Sequence, residues 1–220
     1  MEYSYDYDTY GALAAEELEE ALDIMGGSMI GSGIFNGLLM LVFFIFTAIG
    51  LYTIAKRRGI DHAWMAWVPV LNSWTLGCIS DQYQYLIKGK NKKRRTVLLV
   101  LGIITAVLGV TFLGSFVMMF VKVFQAILQG ITDEQLIEQM AYQVVGPAML
   151  MVLSMLPLMG VSIAYMVFHF IALHDLYKSC APKDGTVYLV LSILINVTEP
   201  FFIFACRNKD EGMPPRRVAP

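Results

Sequence analysis

The chain has 220 residues, of which 57% are hydrophobic and 15% are charged, and its formal net charge is −2. Soluble domains carry about 25% charged residues and rarely contain apolar runs of about 20 residues. Such runs recur along this chain, so the composition excludes an ordinary soluble domain and predicts a single membrane domain. The charges form no broadly basic field, which excludes a nucleic-acid partner.

Residues 1–27 precede the first apolar run and carry eight acidic residues but no Lys or Arg. A secretory signal begins with a basic region, so this segment is not one. Strong helix formers over residues 12–24, followed by Gly26 and Gly27, predict a short acidic helix that ends at the glycines. We predict that residues 1–27 form an acidic extracytoplasmic segment.

Four apolar stretches have about the 20 residues that a helix needs to cross a bilayer. They are residues 30–55, 96–121, 147–172 and 187–205. Residues 28–206 are therefore the predicted transmembrane domain, and residues 207–220 are a polar C-terminal tail. The predicted fold is all-α, an integral membrane helical bundle of four transmembrane helices with one short Pro-interrupted re-entrant or interfacial segment.

Two basic clusters predict the orientation of this bundle. Nine of the sixteen Lys and Arg residues lie between positions 56 and 95, in the clusters 56–58 and 88–95. Cytoplasmic loops are enriched in Lys and Arg, so both clusters are expected in the cytoplasm. The N-terminus is then expected on the extracytoplasmic side.

Residues 63–79 lie between the two clusters and contain Trp64, Trp67 and Trp74 at helical spacing. As a helix this segment would reach about 25 Å, which is short of a hydrocarbon core of about 30 Å. Pro69 also interrupts helical hydrogen bonding. Because Trp favours the membrane–water interface, we predict a re-entrant or interfacial segment with these three residues as membrane-interface anchors. A short tilted fifth span is the alternative.

The C-terminal tail conflicts with a four-span topology. Four spans that start from an outside N-terminus also place the tail outside, yet it carries Arg207, Lys209, Arg216 and Arg217. A re-entrant segment at 187–205 would remove the conflict, but its long apolar run favours a true span. Four spans therefore remain the prediction.

Glu199 is an ionisable residue inside the fourth predicted span, where a charge costs about 3 kcal/mol. Helical rise places Asn36, Ser154 and Glu199 at about 10 Å from the outer ends of their spans, which predicts one buried polar layer. The alternative is that Glu199 is protonated and capped by a neighbouring helix, or that it lies close enough to the surface to be hydrated. His169 lies about 15 Å from Glu199 in depth, which argues against a proton relay between them.

Other patterns predict helix packing but no metal, cofactor or catalytic site. Gly33 and Gly37 have the spacing of a close helix-packing motif. His169 and His174 are five residues apart and so do not share one helical face, which argues against a metal site. Three widely separated cysteines form no paired motif for a disulfide framework or zinc. The sequence also contains no phosphate-binding Gly-rich loop, HExxH or GxSxG.

Residues 54–79 contain a basic turn followed by Trp67, Pro69 and Asn72 in W-x-P-x-x-N spacing. This stretch resembles a segment of uncharacterised multi-pass membrane proteins of Gram-positive bacteria. The ending TEPFFIFACRNKDEGMPPRR is similar to the tails of such proteins. The resemblance implies a bacterial plasma-membrane protein and implies no activity.

These observations favour a non-enzymatic multi-pass membrane protein that is an accessory or interaction partner of another membrane system. Its expected partners are the lipid bilayer and another membrane protein or a second copy. The alternative is a small-solute transporter or channel that uses the polar layer around Glu199. Helices broken near Pro69 and Pro200, in the two halves of the chain, support that alternative. An intramembrane enzyme is a third hypothesis.

Overall fold

The computed structural model describes residues 7–128 and 134–214, and this part of the chain is helical without strands. Its six α-helices are α1 (Tyr7–Arg57), α2 (Leu71–Lys88), α3 (Arg94–Leu128), α4 (Glu134–Cys180), α5 (Gly185–Leu194) and α6 (Glu199–Cys206). Two short 3₁₀ helices, Ala63–Trp67 and Asn196–Thr198, lie between them. The all-α prediction is confirmed.

Within the described part of the chain, three helices are long and apolar enough to cross a membrane, over Gly26–Arg57, Arg94–Gln125 and Tyr142–Cys180. They contain the first three predicted spans. α1 runs through Gly26 and Gly27, so the prediction that an acidic helix ends there is wrong. Each glycine costs a helix only about 1 kcal/mol, and strong helix-forming sequence on both sides outweighs that cost.

The chain divides into two compact units, Met1–Ile45 and Phe46–Pro220. In the first unit, residues 7–45 belong to the single helix α1. The second unit contains the end of α1 and all the other described elements. Its buried apolar core consists of Leu51, Ile54, Ala66, Leu76, Ile79, Leu98, Ala172, Leu173, Leu176, Tyr177, Cys180, Ile203 and Cys206.

This core brings together the end of α1, α2, the start of α3, the end of α4 and α6. The crossing of α2 and α3 is close at Gly77, where an added Cβ would lie 2.5 Å from the Cα of Arg95. By contrast, Val107, Val110, Leu113 and many other apolar side chains farther along α3 are exposed. Buried packing within the second unit is therefore concentrated at one end of the long helices. This end contains the end of α1, the start of α3 and the end of α4, and we call it the polar end because ionic residues also lie there.

Residues 63–79 form two separate helical pieces. The 3₁₀ helix Ala63–Trp67 is followed by Val68, which is extended with φ −103° and ψ 124°, as expected for a residue before proline. α2 then starts at Leu71 and runs beyond the predicted segment to Lys88. The break at Pro69 is confirmed, and α2 is not among the three membrane-competent helices of the described chain.

The fourth predicted span, residues 187–205, is not a continuous helix. α5 ends at Leu194, Ile195 leaves the helical region with φ −127° and ψ 84°, and α6 starts only at Glu199. Pro200 lies in the first turn of α6, where its missing N–H costs no helical hydrogen bond. We refer to residues 185–206 as the hairpin.

Both ends of the hairpin contact the C-terminal end of α4. At its start, the Gly185 N–H donates to the Ala181 carbonyl at 2.8 Å. Just after its end, the Gly212 N–H donates to the Ser179 carbonyl at 3.1 Å. The Gly212 backbone is so close to the Lys178 carbonyl that a side chain there would collide with it. A segment that starts and ends at one end of the same helix does not have the geometry of a span, so four spans are not confirmed.

Candidate functional site

His169 on α4 and Glu199 at the start of α6 form a contact between ionisable side chains. The Nε2 atom of His169 lies 2.9 Å from Oε1 of Glu199, and the two side chains are 22% and 15% exposed. The expectation that they differ by about 15 Å in depth is wrong. That expectation assumed a continuous fourth helix and a third span that ends at residue 172, whereas α4 continues to Cys180 and Glu199 lies at the turn between α5 and α6.

The other nitrogen of the His169 ring has no hydrogen-bond partner. Nδ1 is buried and unpartnered among the described residues, while the ring stacks on Tyr165 with centroids 5.8 Å apart. A neutral imidazole has one donor and one acceptor nitrogen, so either tautomer leaves Nδ1 unsatisfied. A buried polar atom in that state costs about 1–3 kcal/mol. Glu199 therefore holds the ring through Nε2, and Nδ1 contributes no hydrogen bond within the described part of the chain.

The predicted polar layer also included Ser154 and Asn36. Ser154 is about 22 Å from His169 along α4, and its hydroxyl donates to the Met151 carbonyl at 3.1 Å. Ser154 and Glu199 therefore do not share a layer. Asn36 lies in the first unit, where its amide donates to the Ser32 carbonyl of the same helix at 2.8 Å.

The structure gives the positions of the predicted packing and anchoring residues but does not test their roles. Gly33 and Gly37 lie on the part of α1 that belongs to the first unit. Trp64 and Trp67 are exposed by 56% and 46%, and Trp74 is partly buried on α2. Their assignment as helix-packing residues and membrane-interface anchors stays a prediction.

Asp175 is the centre of a buried ionic network that sequence reasoning did not identify. Its side chain is 3% exposed and pairs with the Arg94 guanidinium at the start of α3. It also accepts hydrogen bonds from the Ser80 hydroxyl at 2.7 Å and the Gln84 amide at 2.8 Å, both on α2. Buried ion pairs are stable when such additional hydrogen bonds offset their desolvation. This network joins the second basic cluster to α2 and α4.

Asp210 has the same role for the first basic cluster. It pairs with Arg57 and accepts a hydrogen bond from Nε of Arg58 at 2.9 Å. Nη2 of Arg58 also donates to the Ser179 hydroxyl at 3.0 Å, and the Arg58 side chain is only 2% exposed. Burial lowers the pKa of Arg58 from its ordinary value. The tail, the end of α1 and the end of α4 are thus joined.

The sequence contained one sign of these two networks, namely an acidic residue in an unexpected position in each. Asp175 ends an apolar stretch and Asp210 lies in a basic tail, and the residues beside them in the sequence explain neither position. Their partners, Arg94 and Arg58, lie 81 and 152 residues away. The sequence analysis considered the neighbouring His174 as a metal ligand, which its spacing from His169 argued against, and gave Asp175 no role. Among the described residues, no cluster of three or more His, Cys, Asp or Glu side chains could hold a metal ion.

No family model, curated protein or solved structure matches this chain. The resemblance of residues 54–79 to uncharacterised proteins of Gram-positive bacteria therefore stays a prediction.

Proposed function

We propose that this chain is a non-enzymatic, multi-pass membrane protein that acts as an accessory partner of another membrane protein. In this proposal, three helices cross the plasma membrane and the hairpin enters and leaves on the cytoplasmic side. The polar end then lies in the cytoplasm and the N-terminus outside. This topology agrees with the enrichment of Lys and Arg in cytoplasmic segments, including the C-terminal tail.

One exposed face of α4 carries the proposal of a protein partner. Its residues alternate at spacings of four and three, which is the pattern of a helix that packs along another helix. Each of them is exposed, and Leu156 reaches 76%. The α4 face consists of Met149, Leu153, Leu156, Gly160, Ile163 and Val167.

Two further features of the α4 face favour a transmembrane helix over lipid as its neighbour. Pro157 has no N–H to donate to the Leu153 carbonyl, which is left without its helical hydrogen bond. In hydrocarbon such a group costs several kcal/mol, and a Ser, Thr or Asn side chain on a neighbouring helix would satisfy it. Gly160 is exposed, and the absence of a side chain there allows the backbones of two helices to approach closely.

The test is photo-crosslinking in native membranes from a probe residue at Leu156. We expect an adduct whose cross-linked peptide is a transmembrane helix of another protein, with a polar residue near the attachment point. A probe at Leu113, which is 61% exposed on α3, is the matched control and should give no such adduct. An adduct only with lipid, or only with a second copy of this chain, would contradict the proposal.

A second pair of variants tests the close approach at Gly160. An added Cβ at Gly160 or at Gly114 would meet no atom within 4 Å, so the fold should accept leucine at either position. Gly160→Leu should abolish the adduct formed from position 156, whereas Gly114→Leu on α3 should leave it unchanged. Equal adduct yields in the two variants would show that no helix packs closely against Gly160.

Transport of a small solute is a second candidate, favoured by the contact of His169 with Glu199 beside a broken helix. Interrupted helices often form ion and substrate sites in transporters, and ionisable groups at membrane depth are typical of proton pathways. Proteoliposomes that contain a pH-sensitive dye test it directly. Proton uptake by the wild type, lost in Glu199→Gln and kept in Ser154→Ala, would support transport. Uptake no faster than in empty liposomes would reject it.

A further inference from the structure

A cavity of about 560 Å³ opens beside α2 at the polar end. It lies between the loop that follows α1 and the residues that lead into α3. The second basic cluster contributes three cations to its wall, Lys92, Lys93 and Arg95. Several cations around one concave surface are a suitable environment for an anion.

One of the two carboxylates that line the cavity already accepts hydrogen bonds from the protein. Asp81 accepts the backbone N–H groups of Arg94 at 2.9 Å and Arg95 at 3.2 Å, and so caps the start of α3. Asp61 is the second carboxylate in the lining, and it lies in the exposed loop after α1 together with His62. The three cations therefore outnumber the acidic groups of the cavity.

We propose that this cavity binds a phosphate ester. Lys92, Lys93 and Arg95 would hold the phosphate through charge-assisted hydrogen bonds. Trp74 lines the cavity and offers an apolar wall to the ester carbons. The ligand is either a glycerophosphate lipid headgroup or a free phosphate ester of the same chemistry. This site goes beyond the proposed function and does not require a protein partner.

The experiment uses the full-length protein and two pairs of probes. Purified protein in neutral detergent is titrated with glycerol 3-phosphate and with inorganic phosphate. Protein is also titrated with nanodiscs of phosphatidylglycerol and of phosphatidylcholine. Saturable binding of glycerol 3-phosphate identifies a free ester as a ligand. Binding confined to phosphatidylglycerol nanodiscs identifies a lipid headgroup. No binding in either arm would overturn the proposal.

Two double variants of the same basic cluster separate this site from general surface charge. Lys92→Gln with Lys93→Gln removes two cations that line the cavity, whereas Lys88→Gln with Lys90→Gln removes two that do not. Each charge-assisted contact between a cation of the cavity and the phosphate is worth about a fivefold change in affinity, so the first variant should bind roughly 25-fold more weakly. The second should stay within about twofold of the wild type. Equal losses in both variants would overturn the proposal.

Discussion

Arg58 at the end of α1 donates from Nε to Oδ1 of Asp210 at 2.9 Å, across 152 residues of sequence. This bond ties the C-terminal tail to the first basic cluster. The hairpin must therefore bring the chain back to the end of α4 at which it started. The position of Glu199 beside His169 and the proposed topology both depend on that return.

Asp210→Asn should destabilise the protein because it leaves the buried Arg58 guanidinium without its carboxylate. Removing one partner of a buried pair costs about 3 kcal/mol or more, and partial exposure of Asp210 brings our expectation to about 2 kcal/mol. Thermal unfolding in detergent measures the change. Asp184→Asn, at an exposed position before α5, is the control and should shift stability little. Equal midpoints for both variants would contradict a structural role for the Arg58–Asp210 pair.

Asp175→Asn and Arg94→Gln should each destabilise the protein, and their effects should not add. Asp175→Asn leaves the Arg94 charge unpaired, and Arg94→Gln leaves the buried Asp175 charge unpaired. The double variant removes both charges. For residues in one network, interaction energies of about 1–3 kcal/mol are expected. A double-mutant cycle on unfolding free energies measures this coupling. Additive effects would mean that Asp175 and Arg94 do not stabilise each other.

Gly77→Ala should loosen the crossing of α2 and α3, because the new Cβ would lie 2.5 Å from the Cα of Arg95. Overpacking of this kind typically costs about 1–3 kcal/mol. Gly114→Ala is the matched control, since its Cβ would meet no atom within 4 Å. Its stability should be equal or higher because alanine favours helix. If Gly77→Ala proved as stable as Gly114→Ala, the close crossing would be excluded.

Glu199→Leu should lower stability by about 1–3 kcal/mol, since it leaves His169 without its partner. Glu199→Gln retains an acceptor oxygen for Nε2 of His169 and should lose less. Thermal unfolding of the two variants, compared with His169→Gln, separates a hydrogen-bond role from a role of charge. A fully stable Glu199→Leu protein would show that the His169–Glu199 contact contributes nothing to folding.

The long helices were predictable because each depends on a local pattern. Residues 30–55 and 96–121 are continuous apolar runs, and the backbone of such a run in a bilayer is satisfied within its own helix. The break at Pro69 was predictable for the same reason, since proline acts on its immediate neighbours.

The hairpin was not predictable from length and hydropathy, because residues 187–205 are as apolar as a true span. What bends them is the combination of Pro200 with contacts made by Gly185 and Gly212 to the end of α4. The depth of Glu199, counted along a straight helix, was wrong for that reason. The basic tail was the one local sign of the return, because Arg207 and Lys209 disagreed with an extracytoplasmic position.

The most direct test of this account is the sidedness of single engineered cysteines in intact cells, read with membrane-impermeant thiol reagents. Asn91→Cys, Asn208→Cys and Gln143→Cys all lie at exposed positions, and Gln143 lies beside Lys122 at the far end of α3 from Arg94. The three native cysteines are buried, so their background labelling should be slow. We expect positions 91 and 208 to be protected in intact cells and labelled after lysis, while position 143 is labelled in both. Labelling of position 208 together with position 143 would contradict the re-entrant hairpin.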